Sequence, residues 1–171
     1  MILLYFFVFL IVEHSQAILY PYDSATRETK SLDGLWRFKP DPGSVGMDEE
    51  WYLGELTGDG VEDMPVPSSF NDIGTSSSLR DLIGLVWYER DVILPQSWHQ
   101  DKRIFLRFGS VHYAAHVWVD GVFVGSHEGG HMAFEFDVTA FSWKGIPSSR
   151  SDRIFKIKLF VRILPCDSLC Q

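Results

Sequence analysis

Along RIFLRFGSV (103–111) apolar and polar residues alternate, with Ile104, Leu106 and Phe108 on one side and Arg103 and Arg107 on the other. A period of two is that of a half-buried strand, whose successive side chains point to opposite faces. The same period runs through AFEFDV (133–138), where Phe134, Phe136 and Val138 alternate with Glu135 and Asp137. In FKIKLFVRI (155–163) it sets Phe155, Ile157, Leu159, Val161 and Ile163 against Lys156, Lys158 and Arg162. HVWVDGVFV (116–124) places apolar runs on both sides of Asp120-Gly121, residues that tolerate positive φ and so mark a tight hairpin. VWYERDVIL (86–94) is another β-rich run, closed by Pro95. Each is predicted as an antiparallel strand with one buried face.

Helix signals are few. MDEEWYLGEL (47–56) has Asp48 placed to cap and Glu49 and Glu50 in the first turn, which predicts a short helix limited by Gly54. SLRDLIG (78–84) predicts a single capped turn. Short strands at turn-punctuated spacing, with almost no helix, predict an all-β sandwich or jelly roll. There is no internal repeat and no low-complexity linker.

The first residues change the picture most. MILLYFFVFLIV is an apolar run followed by EHSQA, in which Ser15 and Ala17 occupy the small positions that a signal peptidase reads. The run falls short of the roughly 20 apolar residues that a membrane-spanning helix needs. Residues 1–17 are therefore predicted to be a removed signal peptide, with entry to the secretory pathway and no stable membrane anchor. The 171 residues suffice for one domain with a real core, and 46% hydrophobic and 15% aromatic content argues against disorder. A formal net charge of −8 with scattered basic residues argues against nucleic-acid binding. Cys166 and Cys170 are the two cysteines, both in the last residues, so no disulfide framework organises the domain. Asn71, followed by Asp72 and Ile73, is not an N-glycosylation acceptor.

His127-Glu128-Gly129-Gly130-His131 matches H-E-x-x-H, the zinc-protease string. That site needs a helix to bring both histidines onto one face. Two central glycines, each costing about 1 kcal/mol in a helix interior, and flanking strand patterns predict a loop instead. Ser68-Ser69, His112, His116 and the scattered aspartates form no nucleophile motif. His116 is read as an exposed or hydrogen-bonded strand histidine facing away from Val117. Trp36, Trp51, Trp87, Trp98, Trp118 and Trp143 could stack on sugars, but core packing is the expected role of each.

LDGLWRF (32–38), MPVPSSFNDI (64–73), VWYERDVILP (86–95) and VWVDGVFVGSHEGGHMAFEFDVT (117–139) together resemble the N-terminal sugar-binding domain of family 2 glycoside hydrolases, closest to animal lysosomal β-glucuronidases. The resemblance runs from Leu19 to Ile163, and in that family the position of His131 is commonly Tyr. It implies a galactose-binding-domain-like jelly roll over 34–164, after an N-terminal arm at 18–33. In the family an immunoglobulin-like domain and a (β/α)8 barrel follow, the whole forming a lysosomal homotetramer that acts on glucuronides and glycosaminoglycans. Retaining hydrolysis uses two carboxyl groups about 5 Å apart, and in the family both are barrel glutamates. No catalytic residue is therefore carried over, and Glu89, Glu128 and Glu135 stay unassigned. The family's jelly roll reaches substrate through an aspartate in a segment resembling FDFFNYAGL, which has no counterpart here, so the substrate-binding residues are unknown. No metal and no cofactor are implied.

After FKIKLFVRIL the resemblance stops, and residues 165–171 read as a divergent tail. The expectation is a fragment or isoform of a β-glucuronidase, lacking the last jelly-roll strands and inactive alone. The alternatives are a free-standing carbohydrate-binding module or an interaction partner of the full enzyme.

Overall fold

The computed structural model describes residues 21–98, 102–142 and 153–163. The predicted signal peptide, the 165–171 tail with both cysteines, and Trp143 lie outside the described residues.

Among the described residues eight strands form in chain order: β1 (Gly34–Asp41), β2 (Glu62–Val66), β3 (Leu85–Leu94), β4 (Phe105–Phe108), β5 (Ala114–Val119), β6 (Val122–Glu128), β7 (Phe134–Asp137) and β8 (Arg153–Arg162). Among the described residues three single-turn α-helices intervene, α1 (Phe70–Ile73), α2 (Ser77–Arg80) and α3 (Thr139–Ser142), with one 3-10 turn at Gln96–Trp98. One sheet has six strands in the order β2-β1-β3-β8-β5-β6, and the other pairs β4 with β7. All pairings are antiparallel. The result is the all-β jelly-roll sandwich that the alternating pattern predicts.

The period of two decides which side chains meet between the sheets. Val86, Tyr88, Val92 and Leu94 of β3, Phe155, Ile157, Leu159 and Val161 of β8, and Ala115, Val117 and Val119 of β5 fill one core. Ile104, Leu106, Phe134 and Val138 meet them from the smaller sheet, with Phe70 of α1 and Leu79 of α2 closing the side. The hairpin turn falls where Asp-Gly predicts it, with φ of 50° at Asp120 and 77° at Gly121. α2 overlaps the first residues of the capped turn predicted at 78–84 but starts earlier, capped by the Ser76 hydroxyl, which accepts from Leu79 N.

Two expectations fail, for one shared reason. The segment 47–56 is not a helix but a series of turns, and Asp48 caps nothing. Glu50 takes a positive φ of 54°, which an α-helix does not allow. A Cβ on Gly46 would collide with the indoles of Trp87 and Trp51, so the chain crosses close over the sheet. Lys158, expected among solvated charges, is 1% exposed. Both follow from a second apolar cluster on the outer face of the large sheet, where Leu56, Trp87, Trp118 and Phe160 are buried beneath Trp51, Tyr52 and Val61. The segment between β1 and β2 folds down as a cover, so this face is not solvated as a half-buried strand pattern implies.

Candidate functional site

Cross-strand register lays two rows of side chains over that outer face. In the first, Arg37, Glu89, Lys158, Trp118 and Phe123 follow one another from β1 to β6. In the second, Lys39, Trp87, Phe160, His116 and Ser126 do the same. Directly opposed side chains of antiparallel strands lie close enough to interact, so each row acts as a unit.

The first row begins as an ion network. Glu89 is buried; its Oε1 accepts from Arg37 Nη1 at 2.7 Å, and its Oε2 accepts from Leu56 N at 2.9 Å. Lys158 Nζ stands 2.8 Å from the same Oε2 and also donates to the Trp51 carbonyl. Burying an unpaired ion costs several kcal/mol, so these partners are what make the pair tolerable. Burial lowers the Lys158 pKa, against the pull of Glu89. Lys156 Nζ reaches Glu55 at 3.2 Å, Glu89 at 3.6 Å and Asp91 at 3.8 Å. The charges of Arg37, Lys156 and Lys158 balance those of Glu55, Glu89 and Asp91, and the network ties the cover to the sheet.

Asp41 pins the other end of the cover. Its Oδ1 accepts from Val45 N at 2.8 Å, and its Oδ2 accepts from Gly46 N at 2.9 Å and Trp87 Nε1 at 3.1 Å. Lys39 Nζ lies 3.7 Å from the Trp51 ring centre and donates to the Thr57 carbonyl at 3.0 Å.

Aromatic side chains of both rows pack together beyond the ion network. Trp87 packs on Phe160 at 4.8 Å and on Trp118 at 5.5 Å between ring centres. Tyr52 lies nearly parallel to Trp118, at 5.6 Å and 14°, while Phe123 meets Trp118 edge-on at 5.5 Å. Beside them opens a cavity of about 600 Å³ lined by Met47, Tyr52, His116, Trp118, Val122 and Phe123. Its lining residues with polar side-chain atoms are His116, Trp118 and Tyr52, whose hydroxyl donates to Glu50 Oε1 at 3.3 Å. Burial lowers the His116 pKa, and Arg162 acts in the same sense. Burial and the Glu50 charge raise that of Tyr52.

The residues singled out from sequence fall elsewhere. His127 and Glu128 end β6 and Gly129-Gly130-His131 turn toward β7, so the H-E-x-x-H string is a strand end and loop. His127 stacks on Phe134 at 4.3 Å, and His131 faces His112 at 6.2 Å. Among the described residues, no three His, Cys, Asp or Glu gather to hold a metal. Ser68 Oγ donates to the Pro65 carbonyl, and Ser69 precedes α1 without a side-chain cap bond. Glu135 opposes Arg107 across β4 and β7 at 3.6 Å, Glu128 is exposed, and Glu89 is in the ion network, so they form no carboxylate pair. His116 packs among Trp118, Phe123 and Phe160. Trp36, Trp87 and Trp118 are buried, and half-buried Trp98 donates to Glu28 Oε2 at 2.6 Å. No sequence signal marks Met47, Tyr52 and Phe123 as site residues, although the parity of Trp118 and His116 in β5 places both on this face.

Comparison with known proteins agrees with the sandwich and with the sequence motifs. The family description "Glycosyl hydrolases family 2, sugar binding domain" matches residues 29–150, which take in β1 to β7. Mouse β-glucuronidase is 50% identical over 134 residues, covering 75% of this chain and 21% of the relative. The human β-glucuronidase is 51% identical over 128 residues, covering 71% and 20%. Among solved structures, a β-glucuronidase from an uncultured Clostridium species superposes with a TM-score of 0.74 at 38% identity, over 86% of this chain and 24% of that one. The chain thus spans about a fifth of the length of the curated relatives it matches. On this match, homologous to the N-terminal region of β-glucuronidases, the chain belongs to the sugar-binding-domain family of glycosyl hydrolases family 2.

Proposed function

We propose that this chain serves as the N-terminal sugar-binding domain of a β-glucuronidase and performs no hydrolysis by itself. The observation that carries the reading is half-identity to animal β-glucuronidases along a continuous stretch of more than 100 residues, confined to about a fifth of their length. The domain proper is residues 34–164, with the arm at 18–33 before it, the leader at 1–17 and the tail at 165–171. The parent reaction is retaining hydrolysis of a β-linked glucuronide, with both carboxyl groups supplied by a barrel. The buried or paired state of Glu89 and Glu135 supports that division of labour, since a carboxylate locked in an ion pair is a poor acid or nucleophile. A lysosomal route and a homotetrameric parent complete the reading.

The test is the purified full chain with 4-nitrophenyl β-D-glucuronide. The expected result is no nitrophenol release above the buffer blank. Release that scales with chain concentration and co-elutes with the folded protein on a sizing column overturns the reading.

A further inference from the structure

We propose that the outer-face cavity and the acidic loop beside it form a docking surface for a basic polypeptide segment that inserts one apolar side chain. Met47 at 42% exposure, Leu53 at 58%, Val122 at 53% and Phe123 at 51% are large apolar residues that stay open to solvent around this hollow. Leu53 lies over Gly121, 3.1 Å from where a Cβ would stand, so the cover and the β5–β6 turn make one continuous surface. A contiguous exposed apolar patch rimmed by polar residues marks an interaction site.

Charge selects the partner. Asp48, Glu49 and Glu50 follow Met47 directly, and all three are exposed. Glu49 Oε2 accepts from Trp51 Nε1 at 2.8 Å and Glu50 accepts from the Tyr52 hydroxyl, bonds to neutral donors that leave both negative charges in place. The lysines beneath the cover are engaged: Lys39 on Trp51 and Thr57, Lys156 on Glu55, and Lys158 on Glu89. At the far end of the face, register sets Ala114 between Arg162 and Glu128, one charge of each sign, and Arg162 is felt at His116. The surface is therefore an open apolar hollow whose border along the cover is acidic, complementary to an aromatic or aliphatic side chain flanked by Lys or Arg.

Two other occupants fit less well. A pyranose presents several hydroxyls, whereas the lining residues with polar side-chain atoms are His116, Trp118 and Tyr52, and the Tyr52 hydroxyl is already bonded to Glu50. A second copy of the chain would bring the acidic loop against itself on a protein of net charge −8.

The experiment is calorimetry and NMR on the full chain with three synthetic hexapeptides: acetyl-Arg-Lys-Trp-Leu-Lys-Arg-amide, its counterpart with Glu and Asp in place of the basic residues, and its counterpart with Gly-Ser in place of Trp-Leu. The first should bind and shift the signals of Tyr52, His116 and Phe123, with the other two weaker by roughly tenfold or more. Raising salt from about 50 mM to about 500 mM should weaken the first as well. Phe123→Ser and the pair Asp48→Asn with Glu49→Gln should each reduce affinity about fivefold or more while leaving the far-ultraviolet spectrum unchanged. Equal binding of the acidic peptide, binding untouched by either variant, or no binding of any peptide overturns the proposal. So does a dimer abolished by Phe123→Ser, or saturation of the cavity by D-glucuronic acid with displacement of the peptide.

Discussion

Glu89 and Lys158 meet at 2.8 Å with both side chains 1% exposed, in the middle of a sheet face that the alternation alone would leave wet. Their pairing locks the cover, because Glu89 also accepts from Leu56 N and Lys158 donates to the Trp51 carbonyl. Removing one member of a buried pair leaves the other uncompensated, at a cost of about 3–5 kcal/mol. Arg37 remains beside Glu89 at 2.7 Å, so Lys158→Met should fall at the low end, about 3 kcal/mol by urea unfolding. Adding Glu89→Gln should recover part of that loss, since the amide carbonyl can still accept from Leu56 N. A double variant whose loss equals the sum of the two single losses would show that the pair is not coupled.

Asp41 governs the other anchor. Replacing it with Ala strands three donors, Val45 N, Gly46 N and the Trp87 indole N–H, beneath the cover. Bonds to a charged acceptor contribute about 1.5–3 kcal/mol each, and partial rehydration makes about 3 kcal/mol the expected total loss. Asp41→Asn keeps one acceptor oxygen and should lose about half as much. Gly46→Ala should also destabilise, by about 1–3 kcal/mol, because its methyl would overlap the Trp87 indole. A Gly46→Ala protein with an unchanged urea midpoint would refute the close crossing.

Much of the inner architecture was legible because one repeating rule fixes it. Phe155, Ile157, Leu159 and Val161 all enter the core that their parity assigns, and the Asp120-Gly121 turn falls at its place. The outer face was not legible from that rule. Lys158 and Phe160 share a parity that reads as solvent-facing, and only the cover folding back between β1 and β2 buries them. Asp48 with two following glutamates looks like a helix start, but the close approach at Gly46 and the positive φ of Glu50 are tertiary demands that local propensity does not record. β1 escaped the pattern because Leu35 stays exposed while Arg37 and Lys39 are half-covered by distant residues. The cavity was hidden for the same reason: Met47 and Tyr52 come to His116 and Phe123 from another part of the chain.

Asp137 offers a test of the smaller sheet. Its Oδ1 accepts from Thr139 N at 3.0 Å and from Thr139 Oγ1, and its Oδ2 accepts from Arg103 Nη2 at 2.7 Å. The Thr139 hydroxyl first, then Arg103, lower its pKa from 3.8 to about 2. A depressed carboxyl stabilises the fold above the unfolded value and loses that contribution as pH falls through the folded one, here between about 4 and about 2. The side chain is 40% exposed, so solvent screening keeps the effect on stability small and the titration itself is the better readout. Thr139→Val should raise the carboxyl midpoint seen by carbon-detected NMR toward the ordinary value. A midpoint that stays near 2 would assign the shift to Arg103 instead.

His116 gives the outer face its own pH dependence. Burial among aromatic rings disfavours the imidazolium, and Arg162, whose register neighbour is Ala114 of the same strand, adds repulsion. The folded pKa thus lies below the unfolded value of 6.5, so the native state takes up the proton less readily than the unfolded chain does. It follows that the contribution of His116 is complete above about 6.5 and is lost as pH falls toward the folded pKa. His116→Phe keeps an aromatic ring against Trp118, Phe123 and Phe160 and removes the titration. The variant should therefore gain on the unmodified chain in urea midpoint between about pH 7.5 and about pH 5, since carboxylates titrating in the same range are common to both. Parallel stability curves for the two proteins across that range would mean that the imidazole is as well solvated in the folded chain as in the unfolded one, and that the aromatic layer does not close over it.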